Sequence, residues 1–295
     1  MTRSQANLLL TLAALIWGVG FVFQKEAMAH MGPFMFNGLR FLIGGGVLLP
    51  LIYLQRHKRQ RYGTRLSRPL LRGAGLAGTI MFAAAALQQF GIVHTTVTNT
   101  GFITGLYMIL VPVLGWFLGH RYRPGIWGAV LMACVGLYLL SGAGQVMPAY
   151  GDMLVFAGAV CWAAHVLTID HLTTQYDQIL IAMIQFMICG LLSCLAAFLA
   201  GETLPVTSAA AWTWILLSGI LAVGIAFTLQ VVGQAVAPPA QAAMLMNLEA
   251  VFAAAAGYMF FGEYLTPLAL TGCALMLAGC VLAQRYPPLP AGHRA

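Results

Sequence analysis

Ten apolar segments of membrane-spanning length follow one another with only short polar breaks, and they leave this chain little way to fold in water alone. They run over residues 7–24, 34–54, 72–93, 97–119, 126–142, 151–170, 178–200, 211–234, 239–261 and 267–284. Only 7% of residues are charged, against about 25% in a soluble domain. The expected fold class is an all-α integral membrane protein with ten transmembrane helices.

The two halves repeat. Leu15-Ile16-Trp17-Gly18 in span one is echoed by Val160-Cys161-Trp162-Ala163 in span six, with the tryptophans 145 positions apart. Gly119-His120-Arg121 after span four is echoed by Gly262-Glu263-Tyr264 after span nine, at an offset of 143. Gly128, Leu131 and Met132 match Gly272, Leu275 and Met276 at an offset of 144. Each match is weak alone, but the nearly common offset ties them together. Five spans per half is an odd number, so a shared fold requires the second half to be inverted around a central cavity. The expected organisation is a first five-helix repeat over 1–142, a linker over 143–150, an inverted repeat over 151–286 and a cytoplasmic tail over 287–295.

Charge sets the orientation. Seven cations, Arg56, Lys58, Arg59, Arg61, Arg65, Arg68 and Arg72, lie between spans two and three. Arg3, Arg121, Arg123, Arg285 and Arg294 share their side, whereas only Lys25 falls opposite and Arg40 lies within a span. The positive-inside rule then puts both termini in the cytoplasm. That placement accounts for the net charge of +7 without a nucleic-acid partner, the rival reading of the basic stretch 55–72. Residues 1–29 imitate a cleaved signal peptide, but the apolar run is long and has a counterpart in the second half, so it reads as span one. The six cysteines all lie in apolar segments without paired loop spacing, and read as small apolar residues. No metal or cofactor is expected.

The Trp-Gly of span one, the Gly-Glu-Tyr-Leu-Thr-Pro over 262–267 and the Gly-x-x-Leu-Met of the last span resemble the EamA-type proteins of the drug/metabolite transporter superfamily, over nearly the whole chain. The Tyr107-Met108-Ile109-Leu110-Val111-Pro112 run looks most like the YddG-type aromatic amino acid exporters. His120, where the second half has Glu263, departs from the repeat. The resemblance implies export of amino acids and related metabolites across the bacterial inner membrane by alternating access. It also implies peripheral positions for spans five and ten.

Polar side chains are costly in hydrocarbon and usually face a bundle interior or a wet cavity, so they mark a path. Counted by depth, Trp17, Tyr107, Trp162, His165, Asn247 and Glu249 fall near mid-membrane, with Gln185 close to that level. Asn37, Arg40, Gln88 and Gln89 lie nearer the outer face. These residues, Gln89 excepted, are the candidate substrate-binding set. Aromatic groups with a few hydrogen-bonding partners suit an aromatic or other neutral amino acid. Each tryptophan reads equally as helix packing. Glu249 carries a coupling proton, binds a substrate amino group, or serves structurally, paired with Arg40 or as a buried acid. Arg40 snorkels outward or meets a substrate carboxylate. His165 and Asp170 form a His-x-x-x-x-Asp string, but on one helix they point about 140° apart, which disfavours a catalytic dyad.

Span four looks mechanical. Gly101/Gly105 and Gly115/Gly119 permit close helix approach, and Pro112 removes a helix hydrogen bond to Met108 and can kink the span there. Pro238-Pro239 opens span nine. With Gly101, Gly105, Pro112, Gly115, Pro238 and Pro239 as hinge candidates, the hairpins of spans three–four and eight–nine read as symmetric gates; static packing is the bland alternative. No nucleotide loop, zinc motif or serine elbow appears, so the chain reads as a non-ATP carrier and not as an enzyme. Its partners are a small-molecule substrate and the lipid bilayer, with monomer or weak dimer left open. The alternatives are a carrier of nucleotide sugars or cationic compounds, a channel, or a membrane enzyme.

Overall fold

The computed structural model describes residues 1–54, 66–140, 150–204 and 209–286. The basic-loop residues Arg56, Lys58, Arg59, Arg61 and Arg65, most of the linker and the tail 287–295 lie outside the described residues. Within them the chain is helical throughout, with no strand.

Helices α1 (Arg3–Ala27), α2 (Pro33–Leu54) and α3 (Arg68–Val93) form spans one to three. Span four is two helices, α4 (Val97–Gly105) and α5 (Tyr107–Phe117). Then come α6 (Pro124–Leu140), α7 (Tyr150–Thr173) and α8 (Gln178–Leu199). Span eight joins α9 (Ala209–Leu217), a π-helix (Ser218–Phe227) and α10 (Thr228–Gln234). Span nine is again two helices, α11 (Pro239–Met246) and α12 (Glu249–Phe261), and α13 (Pro267–Gln284) closes the bundle. Nine of these spans are long and apolar enough to cross a bilayer. The tenth, α6, has 17 residues and reaches about 25 Å, just short of the roughly 30 Å hydrocarbon core.

The helix ends follow local chemistry. Thr2, Ser67, Thr96, Asp177 and Thr266 cap α1, α3, α4, α8 and α13 through their side chains, with proline in the first turn of α3 and α13. Two further caps come from across the bundle. Glu202 accepts from the Phe34 and Met35 amides at the start of α2 (3.3 and 2.7 Å), and Glu263 accepts from the Val97 and Thr98 amides at the start of α4 (3.3 and 3.2 Å). A carboxylate there meets both unpaired amides and the positive end of the helix dipole. This capping role belongs to the Glu263 side chain of the second half; the amides of Glu263 and of its sequence counterpart His120 both close their own turns, on Gly257 O and Gly115 O.

Packing pairs span three with span six and span one with span eight; α2 lies along α8, and α1 along α12. Helices α6 and α13 pack chiefly on each other. At the α1–α12 crossing, a Cβ on Gly18 would stand 2.8 Å from both Ala253 N and Glu249 O, so only glycine lets these backbones meet.

The interruption of span four lies at Leu106 and not at Pro112, which sits inside α5. Leu106 bonds Ile103 O at 3.2 Å and accepts from Ile109 N at 3.0 Å, so 3₁₀-type bonds carry the backbone through the break. Span nine breaks the same way at Asn247–Leu248, without any proline: Leu248 N bonds Leu245 O (3.2 Å) and Ala250 N bonds Asn247 O (3.1 Å). The two breaks touch. A side chain on Gly105 would run into Asn247 Oδ1, and Asn247 Nδ2 donates to Met108 Sδ at 2.9 Å.

Gly18→Val should separate α1 from α12 and cost about 1–3 kcal/mol by overpacking. Gly46→Ala, where an added Cβ meets nothing within 4 Å, should leave stability unchanged or slightly raised. Thermal unfolding of the two variants in detergent checks the contrast.

Candidate functional site

A cavity opens beside the crossing of the two broken spans. Its wall is built from spans one, two, three, four, six, eight and nine. Trp17, Phe21 and Gln24 come from α1, at the helical spacing that puts them on one face. Trp162 and Val166 from α7, Thr104 and Tyr107 flanking the first break, and Met246 and Glu249 flanking the second obey the same rule. Arg40, Gln88, Phe227 and Gln230 complete the lining.

Each tryptophan is fixed by its N–H. Trp17 Nε1 donates to Ala222 O within the π-helix, and Trp162 Nε1 donates to Gln88 Oε1, both at 3.0 Å. Gln88 Nε2 in turn donates to Thr104 Oγ1 at 3.2 Å. Between the indoles sits Phe227, 4.7 Å from the Trp17 ring and stacked at 5.5 Å and 26° on Trp162. Phe227 is the last residue of the π-helix, whose wider i→i+5 turns reset the face that span eight presents.

Arg40 is held by the wall. Nε donates to Asn37 Oδ1 at 2.9 Å, Nη1 reaches Ser218 Oγ at 3.5 Å, and the guanidinium lies 5.0 and 4.9 Å from the Phe36 and Phe41 ring centres. No ion pair joins Arg40 to Glu249 among the described residues. The Tyr107 hydroxyl lies beside the Glu249 carboxyl. Even so, neither Tyr107 Oη nor Glu249 Oε1 has a partner of good hydrogen-bond geometry among the described residues.

Of the expected binding set, Trp17, Arg40, Gln88, Tyr107, Trp162 and Glu249 line the cavity, while Asn37, His165, Gln185 and Asn247 do not. Those four are fully buried one layer back. Asn37 orients Arg40, Asn247 pins the two breaks, and His165 Nε2 pairs with Gln185 Oε1 at 2.9 Å while its ring edge backs Trp162. Of the hinge candidates, Gly101 packs on Ala253, Gly105 ends α4, Gly115 faces Tyr122 Oη, and Pro238-Pro239 open α11. The liners missed from the sequence are Phe21, Gln24, Thr104, Val166, Phe227, Gln230 and Met246. Five of them lie three, four or seven positions from a chosen residue, so extending each face would have found them. Gln230 and Gln234, the two glutamines of span eight, were the available signal for Gln230.

These features define a multi-pass membrane protein organised around a buried, mid-bundle cavity. The sequence model of the EamA-like transporter family matches residues 4–142 and again residues 149–284. The chain belongs to that family, within the drug/metabolite transporter superfamily, and is a membrane transporter. It is similar to an uncharacterized transporter of Archaeoglobus fulgidus, 29% identical over 283 residues, 96% of this chain and 86% of the relative. The threonine/homoserine exporter RhtA of Salmonella typhimurium is 26% identical over 183 residues, 58% of this chain and 59% of that protein. A protein crystal structure 22% identical in sequence matches with a TM-score of 0.79 over 96% of this chain and 98% of its own, a likeness of fold.

Gln88→Leu should strand the buried Trp162 N–H and lower stability by about 1–3 kcal/mol. Thermal unfolding against the unsubstituted protein checks this.

Proposed function

We propose that this chain exports neutral amino acids, aromatic ones included, and related metabolites across the bacterial cytoplasmic membrane by alternating access. The observation that carries this reading is the cavity where two broken spans cross, lined by five aromatic side chains with one guanidinium and one carboxyl. Broken helices at the midplane are where secondary carriers hold substrate. Arg40 suits a substrate carboxylate, Glu249 with Tyr107 an ammonium, and Trp17, Trp162 and Phe227 an apolar side chain. Asn37, His165, Gln185 and Asn247 act through these groups. The exporter activity named for RhtA, a distant relative, agrees with amino acid cargo. The aromatic walls favour cargo of the YddG type. Helical spans fit an inner membrane, since outer-membrane proteins span as barrels.

The same reading takes residues 1–142 and 151–286 as inverted repeats with both termini cytoplasmic. Its support is the odd span count per half, the double match of the family model, and packing pairs that survive exchange of the halves: three–six with eight–one, and two with seven. The hairpins of spans three–four and eight–nine are the gates. Glu263 on the start of α4 is a contact that must break when the gate on that side opens.

In proteoliposomes, labelled phenylalanine, methionine and threonine should show saturable exchange, whereas nucleotide sugars should show none. Absence of flux for every amino acid would remove the cargo assignment. A cross-link between residues 98 and 263 should abolish exchange, and unchanged flux would remove the gate.

A further inference from the structure

The hydrogen bonds of the cavity wall are lopsided. Of the four buried wall groups that lack a partner among the described residues, three are carbonyl or carboxyl oxygens and the fourth, the Tyr107 hydroxyl, can accept as well as donate. Both indole N–H groups are engaged, and Trp162, which can only donate, fixes Gln88 with its oxygen toward the indole and its NH₂ toward Thr104. A second relay fixes Gln230. Val166 O can only accept, so Gln234 gives it Nε2 (3.1 Å); Gln234 Oε1 then accepts from Gln230 Nε2 (2.8 Å). This leaves Gln230 Oε1 buried without a partner among the described residues, as are Gln24 Oε1, Glu249 Oε1 and the Tyr107 hydroxyl. Each of these four residues is at least nine-tenths buried and lines the cavity.

The one cation on the wall stands in the opposite condition. Asn37 Nδ2 donates to Ala85 O at 3.1 Å, which turns Asn37 Oδ1 onto Arg40 Nε. With Ser218 and two phenyl rings also on the guanidinium, Arg40 has protein partners, while the Glu249 carboxyl has no cation beside it among the described residues. An unpaired buried acceptor is costly and is relieved only by a donor. An ammonium brings three, together with a charge that aromatic walls attract.

We infer that the ammonium end of the cargo is the recognised end, so that this site also binds protonated primary amines that lack a carboxylate. The inference rests on the reading of this cavity as the transport site, and it extends the cargo beyond amino acids to arylalkylamines.

The test is calorimetric titration of the purified full chain in detergent with 2-phenylethylamine and with 3-phenylpropanoate, which each keep one end of phenylalanine. The amine should bind about 100-fold more tightly than the carboxylate, as two or more charge-assisted bonds imply. Glu249→Gln should weaken the amine by about tenfold or more, and Arg40→Gln should change it less than about threefold. Equal or tighter binding of 3-phenylpropanoate overturns the inference, as does failure of both probes to bind. The wild-type comparison stands even where a variant folds poorly. Amine binding without any amino acid flux would keep the inference and remove amino acids as cargo. Phenylalanine flux without amine binding would do the reverse.

Discussion

A helix interrupted inside a bilayer exposes backbone groups that lipid cannot satisfy, and the arrangement of this protein follows from how two such interruptions are resolved. At Leu106 and at Asn247–Leu248 the backbone tightens into 3₁₀-type bonds, which carry the chain through each bend. The breaks are then placed against each other, with Gly105 leaving room for Asn247 and Asn247 reaching Met108. Tyr107 and Glu249, each at the start of a new helix, enter the cavity together because the breaks sit at the same depth.

The aromatic wall depends on a third irregularity. The π-helix of span eight supplies Ala222 O for the Trp17 indole, Ser218 Oγ for Arg40, and Phe227 for the space between the tryptophans. One distorted segment therefore anchors groups from α1, α2 and α7 to the cavity. Its counterpart in the first half, span three, is regular α-helix and contributes Gln88 instead. Trp17 and Trp162, which match in the sequences of the two halves, thus receive different partners, a backbone carbonyl in one case and a glutamine in the other.

Span limits were largely legible in the sequence, because hydrocarbon thickness and the Pro, Thr and Gly residues at the ends bound each helix. The predicted starts and ends of spans two, seven, nine and ten fall within one residue of those observed. In span four a kink was expected at Pro112, since proline is the visible helix breaker, whereas the break lies at Leu106; span nine breaks with no proline at the break. Depth along a span was readable and rotation about it was not. Asn247 and Glu249 lie at nearly one depth, yet one pins the crossing and the other faces the cavity. Phe227 escaped notice because a π-helix breaks the periodicity by which faces are read.

The central claim is that cargo sits in the cavity lined by Trp17, Trp162 and Phe227, with its ammonium on Glu249. A structure of the protein saturated with phenylalanine tests it most directly. The account predicts density for the ring against Phe227 and the indoles, and for the amino nitrogen at hydrogen-bond distance from Glu249. Ligand density elsewhere in a protein that exchanges phenylalanine, or the reverse orientation in this cavity, would contradict it.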